Sequence, residues 1–453
     1  MNIFFIIPKS LNPKQIYKEY PLGVGYIAAN LIKSNFNVYI YDQNVEEGTE
    51  KDIVSLINIK KPDVIAFSVL TPTYPVAKRI VNEIKREKIK LPVIAGGIHA
   101  NLFPDDLIND GFDIVIPGEG ETTFLSLIRC YSQTGAFMRS KNIKYSQDIQ
   151  TVDYIDKELS NPRSGENTSD FIERDLYNLR LYPHHTIIAS RGCPFKCKFC
   201  CNYSQIIKKG CSIRTIESII EEMKMLKQKY NASKIFFADD VFFLKKDDIN
   251  IFCRALSKAN LNISWIAQLR IDTIDDITAE EMSNAGCVRV YFGIESGSQK
   301  LLDESNKNIT IEQIKQGVKS AKKAKLRVKT GWIYGLPGSL EEQRKSISLM
   351  RDIMPNEISV HQLIPFPGTE YYNYSEKYGI KFKDKKDFSS FCFGGLGDNF
   401  SFDYLDKNEL NNLLNETKNV LDSLGYTDSD NAKSGEEYVY SLPVSKKTLQ
   451  IFQ

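Results

Sequence analysis

The sequence has no long apolar run, no excess charge of one sign and, with four residues in 453, almost no histidine. Its longest apolar stretches, such as Val64–Leu70, are strand-sized and far short of the roughly 20 residues that cross a bilayer. Lysine and arginine number 59 against 57 acidic residues, spread along the chain, so there is no electrostatic footprint for nucleic acid or an anionic membrane surface. The opening "MNIFFIIPKS" is apolar but lacks a basic segment before it, and Pro8 cuts it short; it reads as a first strand, not an export signal. An odd number of cysteines, nine, without an export signal points to a reducing compartment in which clustered thiols bind metal or do chemistry. The expected setting is cytoplasmic, with neither nucleic acid nor membrane as a partner.

What the chain does have is a β/α rhythm. Asn2–Ile7, Asn37–Asp42, Asp63–Val69, Pro92–Gly97 and Asp113–Pro117 are short, continuously apolar runs, as strands buried on both faces should be. Helix-length segments such as Leu22–Lys33 and Val76–Lys88 separate them, which predicts a doubly wound parallel sheet over residues 1–135. Residues 136–180 lose the rhythm, and "SNPRSGENTSD" is polar and turn-rich, so a linker is expected there. A second series follows: His185–Ser190, Lys234–Asp240, Ile263–Arg270, Val288–Glu295, Arg327–Tyr334 and Ile358–Ile364. Six β/α units fit a partial (β/α)6 barrel over 181–378, with chemistry at the carboxyl ends of its strands. Residues 379–453 read as a small C-terminal segment with one clear helix near Lys407–Leu424.

Four of the nine cysteines fall within "RGCPFKCKFCC", directly after the first barrel strand. Cys193, Cys197 and Cys200 form C-x3-C-x2-C, a loop spacing that lets three thiolates converge. Structural zinc normally takes four ligands, often from two CxxC pairs, and no second pair exists; Cys211 is the one available fourth ligand. Three cysteines can instead hold three irons of a [4Fe–4S] cluster and leave the fourth iron open to a ligand. Arg191, Lys196 and Lys198 offset anionic thiolates. His184, His185 and His361 read as packing or surface residues. Taken singly, "FADD" is a helix-capping turn and "GLPG" merely a turn.

In this order, however, "SRGCPFKCKFC" resembles the cluster loop of radical S-adenosylmethionine enzymes. The resemblance continues through "FFADDVFF" (236–243), "WIAQLRID" (265–272), "YFGIESGSQ" (291–299), "IYGLPGS" (333–339) and "PFPGTEYY" (365–372), in the version shared by the cobalamin-domain-bearing branch. It implies a [4Fe–4S] cluster on Cys193, Cys197 and Cys200 and S-adenosylmethionine chelated by the open iron. Reductive cleavage to a 5′-deoxyadenosyl radical follows, with an electron donor such as flavodoxin or ferredoxin. Asp239 or Asp240 is expected to accept the ammonium of the methionine moiety, only one of them facing inward because side chains alternate along a strand. Glu295 is expected to make a hydroxyl or ammonium contact, and Arg270 to meet a carboxylate bidentately.

The amino-terminal part resembles the cobalamin-binding domains of that branch over 20–42, 62–80, 92–107 and 113–124. Ser68 and Thr71 end the third strand, Gly96 and Gly97 the fourth, and Gly118 and Glu119 the fifth, where a groove for a nucleotide tail is expected. The D-x-H-x-x-G motif that supplies a histidine to cobalt is absent, since no aspartate lies two before any histidine. The resemblance implies C-methylation of an unactivated carbon in a small biosynthetic intermediate. The alternative is a non-methylating enzyme, a dehydratase, epimerase or cyclase, in which the cobalamin-type domain has lost its cofactor.

Overall fold

A computed structural model describes residues 1–11, 19–154, 156, 171–177, 181–182, 184–202, 206, 210–391, 399–428 and 438–442. The chain divides into two compact units, Met1–Pro183 and His184–Gln453.

The first unit is built on five parallel strands, β1 (Asn2–Ile7), β2 (Asn37–Asp42), β3 (Val64–Ser68), β4 (Val93–Gly96) and β5 (Ile114–Val115), in the order β2-β1-β3-β4-β5. All five lie where apolar runs predict them. Ile3, Phe5, Val64, Ala66, Ile94 and Ile114 bury one face of the sheet against Val24, Ala28 and Leu31 of the helix Leu22–Lys33 and Phe124, Leu125 and Ile128 of Gly120–Thr134. Strand order reverses at β1, so the carboxyl ends of β1 and β3 border the crevice in which such sheets take ligands. Local signals agree with the global fold: Thr49 and Asp52 form a reciprocal capping box at the start of Glu50–Lys60.

The linker expectation needs correction. Phe137–Met138 (β6), Lys144–Tyr145 (β7) and Thr151–Val152 (β8) belong to the first unit; β7 extends the main sheet antiparallel to β5, and β6 pairs with β8. Phe137 and Ile143 enter the core. Strands of two residues are too short for alternation to register in a sequence. The "SNPRSGENTSD" stretch lies outside the described residues.

The second unit carries six parallel strands in sequence order, β9 (His185–Ile187), then, after a short β10 (Ser190–Arg191) and β11 (Ser212–Ile213), β12 (Lys234–Phe237), β13 (Ser264–Leu269), β14 (Cys287–Glu295), β15 (Arg327–Tyr334) and β16 (Glu357–Gln362). Alternation sorts their faces. Val290, Phe292 and Ile294 of β14 join the core beneath the helices, which turns Arg289, Tyr291, Gly293 and Glu295 to the inner face. The chain after residue 378 is not an appendage, as its polar composition suggests. Beyond the hairpin β17 (Ile380–Phe382) and β18 (Phe400–Phe402) come β19 (Thr427–Asp428) and β20 (Tyr438–Ser441), and β20 pairs antiparallel with β16. Leu410, Leu413, Leu414 and Leu421 of the helix Lys407–Ser423 sit in the barrel core, and Tyr334 shares a 2.7 Å hydrogen bond with Thr417. Most of "FCFGGLGDNF", including Cys392, lies outside the described residues. No helix among the described residues is long and apolar enough to cross a membrane.

Candidate active site

The cysteine loop leaves the carboxyl end of β9 and is held at its base from two sides. On one side Asp239, buried just past β12, accepts hydrogen bonds from the Ala189 N–H (3.0 Å), the Ser190 N–H and the Ser190 hydroxyl (2.8 Å). On the other, Arg214 donates to the Ile188 carbonyl (2.9 Å) and to the fully buried Glu222 (2.6 Å), while its N–H bonds the Ala189 carbonyl (2.8 Å). Further out, the Lys198 N–H bonds the Ser305 carbonyl (3.0 Å), Asn306 donates to the Lys196 carbonyl (2.8 Å), and the Tyr371 N–H bonds the Lys198 carbonyl (3.2 Å). Arg270 lies 3.5 Å over the ring of Phe195. The loop is therefore shaped by its neighbours, independently of any disulfide; the described cysteines are all free thiols.

Charge converges on this loop. Lys307 and Glu295 form a 2.8 Å ion pair, with only 10% and 12% of their side chains exposed. Glu295 has φ +70° at an irregularity in the β14–β15 register, a conformation costly for a residue with a side chain and commonly found at functional sites. Gly293 makes it possible: a Cβ there would stand 2.3 Å from the Glu295 carboxylate. Burial pushes the thiols of Cys193, Cys197 and Cys200 up, and Lys307 and Arg270 pull Cys197 back down. Such thiols stay protonated unless a metal takes the place of the proton. Three thiolates on one tetrahedral ion would lie about 3.8 Å apart; among the described residues no group of three or more His, Cys, Asp and Glu is drawn together as a single ion requires.

The predicted residues separate into those that face the loop and those engaged elsewhere. Asp240 stands close enough to Cys193, Cys200 and Cys201 for its charge to raise their thiols. The Asp239 oxygens hold the backbone before the loop, and burial pushes its carboxyl up to about 7 against the pull of those hydrogen bonds. Arg270 makes its bidentate contact with Asp272 (3.0 Å twice), and its remaining bonds go to the carbonyls of Lys307 and Asn308. With its ring contact to Phe195, these bonds brace the loop. Lys307 is the residue that sequence reasoning missed, because a lysine in "SNKNIT" looks like any solvated loop lysine.

In the first unit Ser68, Gly96, Gly97, Gly118 and Glu119 lie at or just past the carboxyl ends of β3, β4 and β5, and Thr71 opens the turn after β3. Their roles differ. A Cβ on Gly97, where φ is +97°, would stand 2.7 Å from the Val69 carbonyl, so this glycine serves strand packing. Gly96 has nothing closer than 4.0 Å and Gly118 nothing within 4 Å, so these two leave an open edge that a Cβ would begin to fill. His99, the one histidine of this unit, is fully buried, stacked on Tyr74 at 4.2 Å and 3.3 Å from the Thr71 hydroxyl; burial pushes it down to about 3. It is packed as a neutral core residue, which the sequence alone did not reveal. Gly96→Leu is expected to weaken cobalamin binding while leaving the melting temperature unchanged, whereas Gly97→Leu should lower the melting temperature itself. Titration of cobalamin absorbance beside a thermal melt checks both; identical behaviour of the two variants would contradict the assignment.

Comparisons with known proteins follow the same division. The radical SAM superfamily profile matches residues 187–350, and the B12 binding domain profile matches residues 16–128. The chain is 30% identical over 370 residues to an uncharacterised methyltransferase of Pyrococcus horikoshii, with 78% of each chain covered. It is 24% identical over 366 residues to the anaerobic magnesium-protoporphyrin IX monomethyl ester cyclase of Rubrivivax gelatinosus, covering 78% of this chain and 65% of that one. Among solved structures, the radical S-adenosylmethionine methyltransferase TsrM of Kitasatospora setae, with cobalamin and a [4Fe–4S] cluster bound, superposes with a TM-score of 0.70 at 15% identity, over 91% of this chain and 90% of that one.

Proposed function

The chain belongs to the radical S-adenosylmethionine superfamily, in the branch with an amino-terminal B12 binding domain, and from that premise we propose that it is a cobalamin-dependent methyltransferase. Its substrate is a small biosynthetic intermediate methylated at an unactivated carbon. The observation that carries this reading is the braced loop of Cys193, Cys197 and Cys200 at the carboxyl end of β9, beside Asp240 and the buried Lys307–Glu295 pair.

The three cysteines would hold a [4Fe–4S] cluster, and the open edge at Gly96 and Gly118 suits cobalamin. Bound there, the cluster supplies the electron that cleaves S-adenosylmethionine, and cobalamin carries the methyl group. Asp240 offers an acceptor for the ammonium of the methionine moiety. Lys307, oriented by Glu295, offers a cation near Cys197 where a ligand carboxylate and an anionic cluster both need one. Phe199 packs with Leu301, Leu336, Leu363 and Tyr371, an apolar wall that keeps water from one side of the loop. The electron comes from a partner of the flavodoxin or ferredoxin class, and the cytoplasm suits nine thiols and a reducible cluster.

Counting products tests the reaction. With purified enzyme, reductant, cobalamin and substrate, S-adenosylhomocysteine and 5′-deoxyadenosine are expected in near-equal amounts, with one methyl group gained by substrate. Deoxyadenosine without S-adenosylhomocysteine, in protein with cobalamin bound, would replace the methyltransferase with a dehydratase, epimerase or cyclase.

A further inference from the structure

The amino-terminal end of the barrel sheet, opposite the cysteine loop, gathers positive charge onto its inner face. The phase of each strand is fixed by what lies under the helices. His185 meets Tyr230 of the helix Ile216–Tyr230 at 5.6 Å, so His184 turns inward, where its ring meets Phe236 edge-on at 5.4 Å. Ile235 and Phe237 are core residues, so Lys234 shares the inner face with Phe236. Val290 and Phe292 are core residues too, and Arg289 faces inward. The register pairs Ile235 with His185, Lys234 with Ser264 and Ile266 with Arg289, which brings His184, Lys234 and Arg289 to neighbouring rows of one floor. Burial, then the charges of Arg289 and Lys234, push His184 down to about 4, so the imidazole is neutral at pH 7.

These groups are not matched as a structural charge network would be. The carboxylate of Glu357 at this end is already shared between Arg327 and Arg289, the latter at 3.3 Å. The Lys234 ammonium makes no ion pair among the described residues. Arg289 Nε and His184 Nε2 are buried and have no hydrogen-bond partner. A buried polar atom without a partner is costly, and two of them beside an unmatched ammonium suit a small group with several oxygens and negative charge.

We propose that this floor is an oxyanion site that takes a phosphate group, with Lys234 supplying charge, Arg289 Nε–H donating a hydrogen bond, and His184 Nε2–H donating another in the tautomer that protonates Nε2. Arg289 and Glu295 are six residue steps apart along β14, about 20 Å of strand, so the site is distinct from the cysteine loop and does not depend on the reaction proposed above. The phosphate is either the free ion or the phosphomonoester of a metabolite.

Calorimetric titration of the cluster-reconstituted full chain with inorganic phosphate, and separately with AMP as a phosphomonoester, tests this. Saturable one-to-one binding is expected, weakened about tenfold or more in Lys234→Gln and in Arg289→Gln and unchanged in Lys258→Gln, a lysine exposed on an outer helix. Lys234→Gln should melt with the parent protein when no phosphate is present, which separates lost binding from lost folding. Binding of both probes assigns a phosphomonoester ligand and binding of phosphate alone assigns the free ion. Absence of saturable heat with either probe, or equal affinities in the parent and Lys234→Gln, would overturn the site.

Discussion

Cys197→Ala is expected to abolish cluster assembly and S-adenosylmethionine cleavage together. Cys197 is the most enclosed of the three loop cysteines, 8% exposed, and the charges of Lys307, Glu295 and Arg270 all bear on its thiol. Cys201 cannot substitute from the same place, since it follows Cys200 directly and would have to turn back on itself. Changes one shell removed from a metal typically cost about 10–100-fold in affinity or activity, and removal of a ligand should exceed that. Cys130→Ala and Cys253→Ala supply the contrast, since these thiols are buried in the helices Gly120–Thr134 and Lys246–Ala259, away from the loop. Iron and sulfide analysis, the visible spectrum and deoxyadenosine yield are the measurements. Iron and cleavage retained in Cys197→Ala would refute the ligand assignment.

The strand plan of both units was legible because parallel strands buried on two faces are continuous apolar runs, and Leu22–Lys33 and Arg327–Tyr334 match to the residue. The cysteine loop was legible because its spacing is rare outside its family. What escaped were features that depend on a third residue distant in sequence. Arg270 at a strand end has the same sequence signature whether its fork meets a ligand or Asp272. Asp239 and Asp240 are likewise indistinguishable until Ala189 and Ser190 are seen to point their N–H groups at one of them. Lys307 gains meaning only from Glu295, twelve residues earlier, and Gly97 only from the Val69 backbone. The two-residue strands β6 to β8 and the antiparallel pairing of β20 with β16 have no periodicity to read, because tertiary contact and not alternation creates them.

The two neighbouring aspartates should fail in different ways. Asp240→Asn is expected to keep its full iron content and lose about 10-fold or more in S-adenosylmethionine affinity, the usual scale for a hydrogen bond to a charged group. Asp239→Asn should instead lose part of its iron: one oxygen can still accept from Ala189 and Ser190, but the amide NH2 takes the place of the second oxygen, where the Ala189 N–H also points at 3.2 Å, and donor then faces donor. Asp239→Ala leaves those two N–H donors and the Ser190 hydroxyl without this acceptor, at about 1–3 kcal/mol for each donor that finds no other. That is a large share of the roughly 5–15 kcal/mol that holds a domain folded, concentrated at the base of the cysteine loop. The Ser190 hydroxyl also reaches the Val241 carbonyl at 2.9 Å, so Ser190→Ala, which removes that hydroxyl alone, should show a smaller loss of the same kind. Iron content, melting temperature and equilibrium dialysis with S-adenosylmethionine, measured on all four variants, separate the roles. If Asp239→Asn kept its iron and lost ligand affinity as Asp240→Asn does, Asp239 would be a ligand-facing residue after all, and the brace at the base of the loop would rest on Arg214 alone.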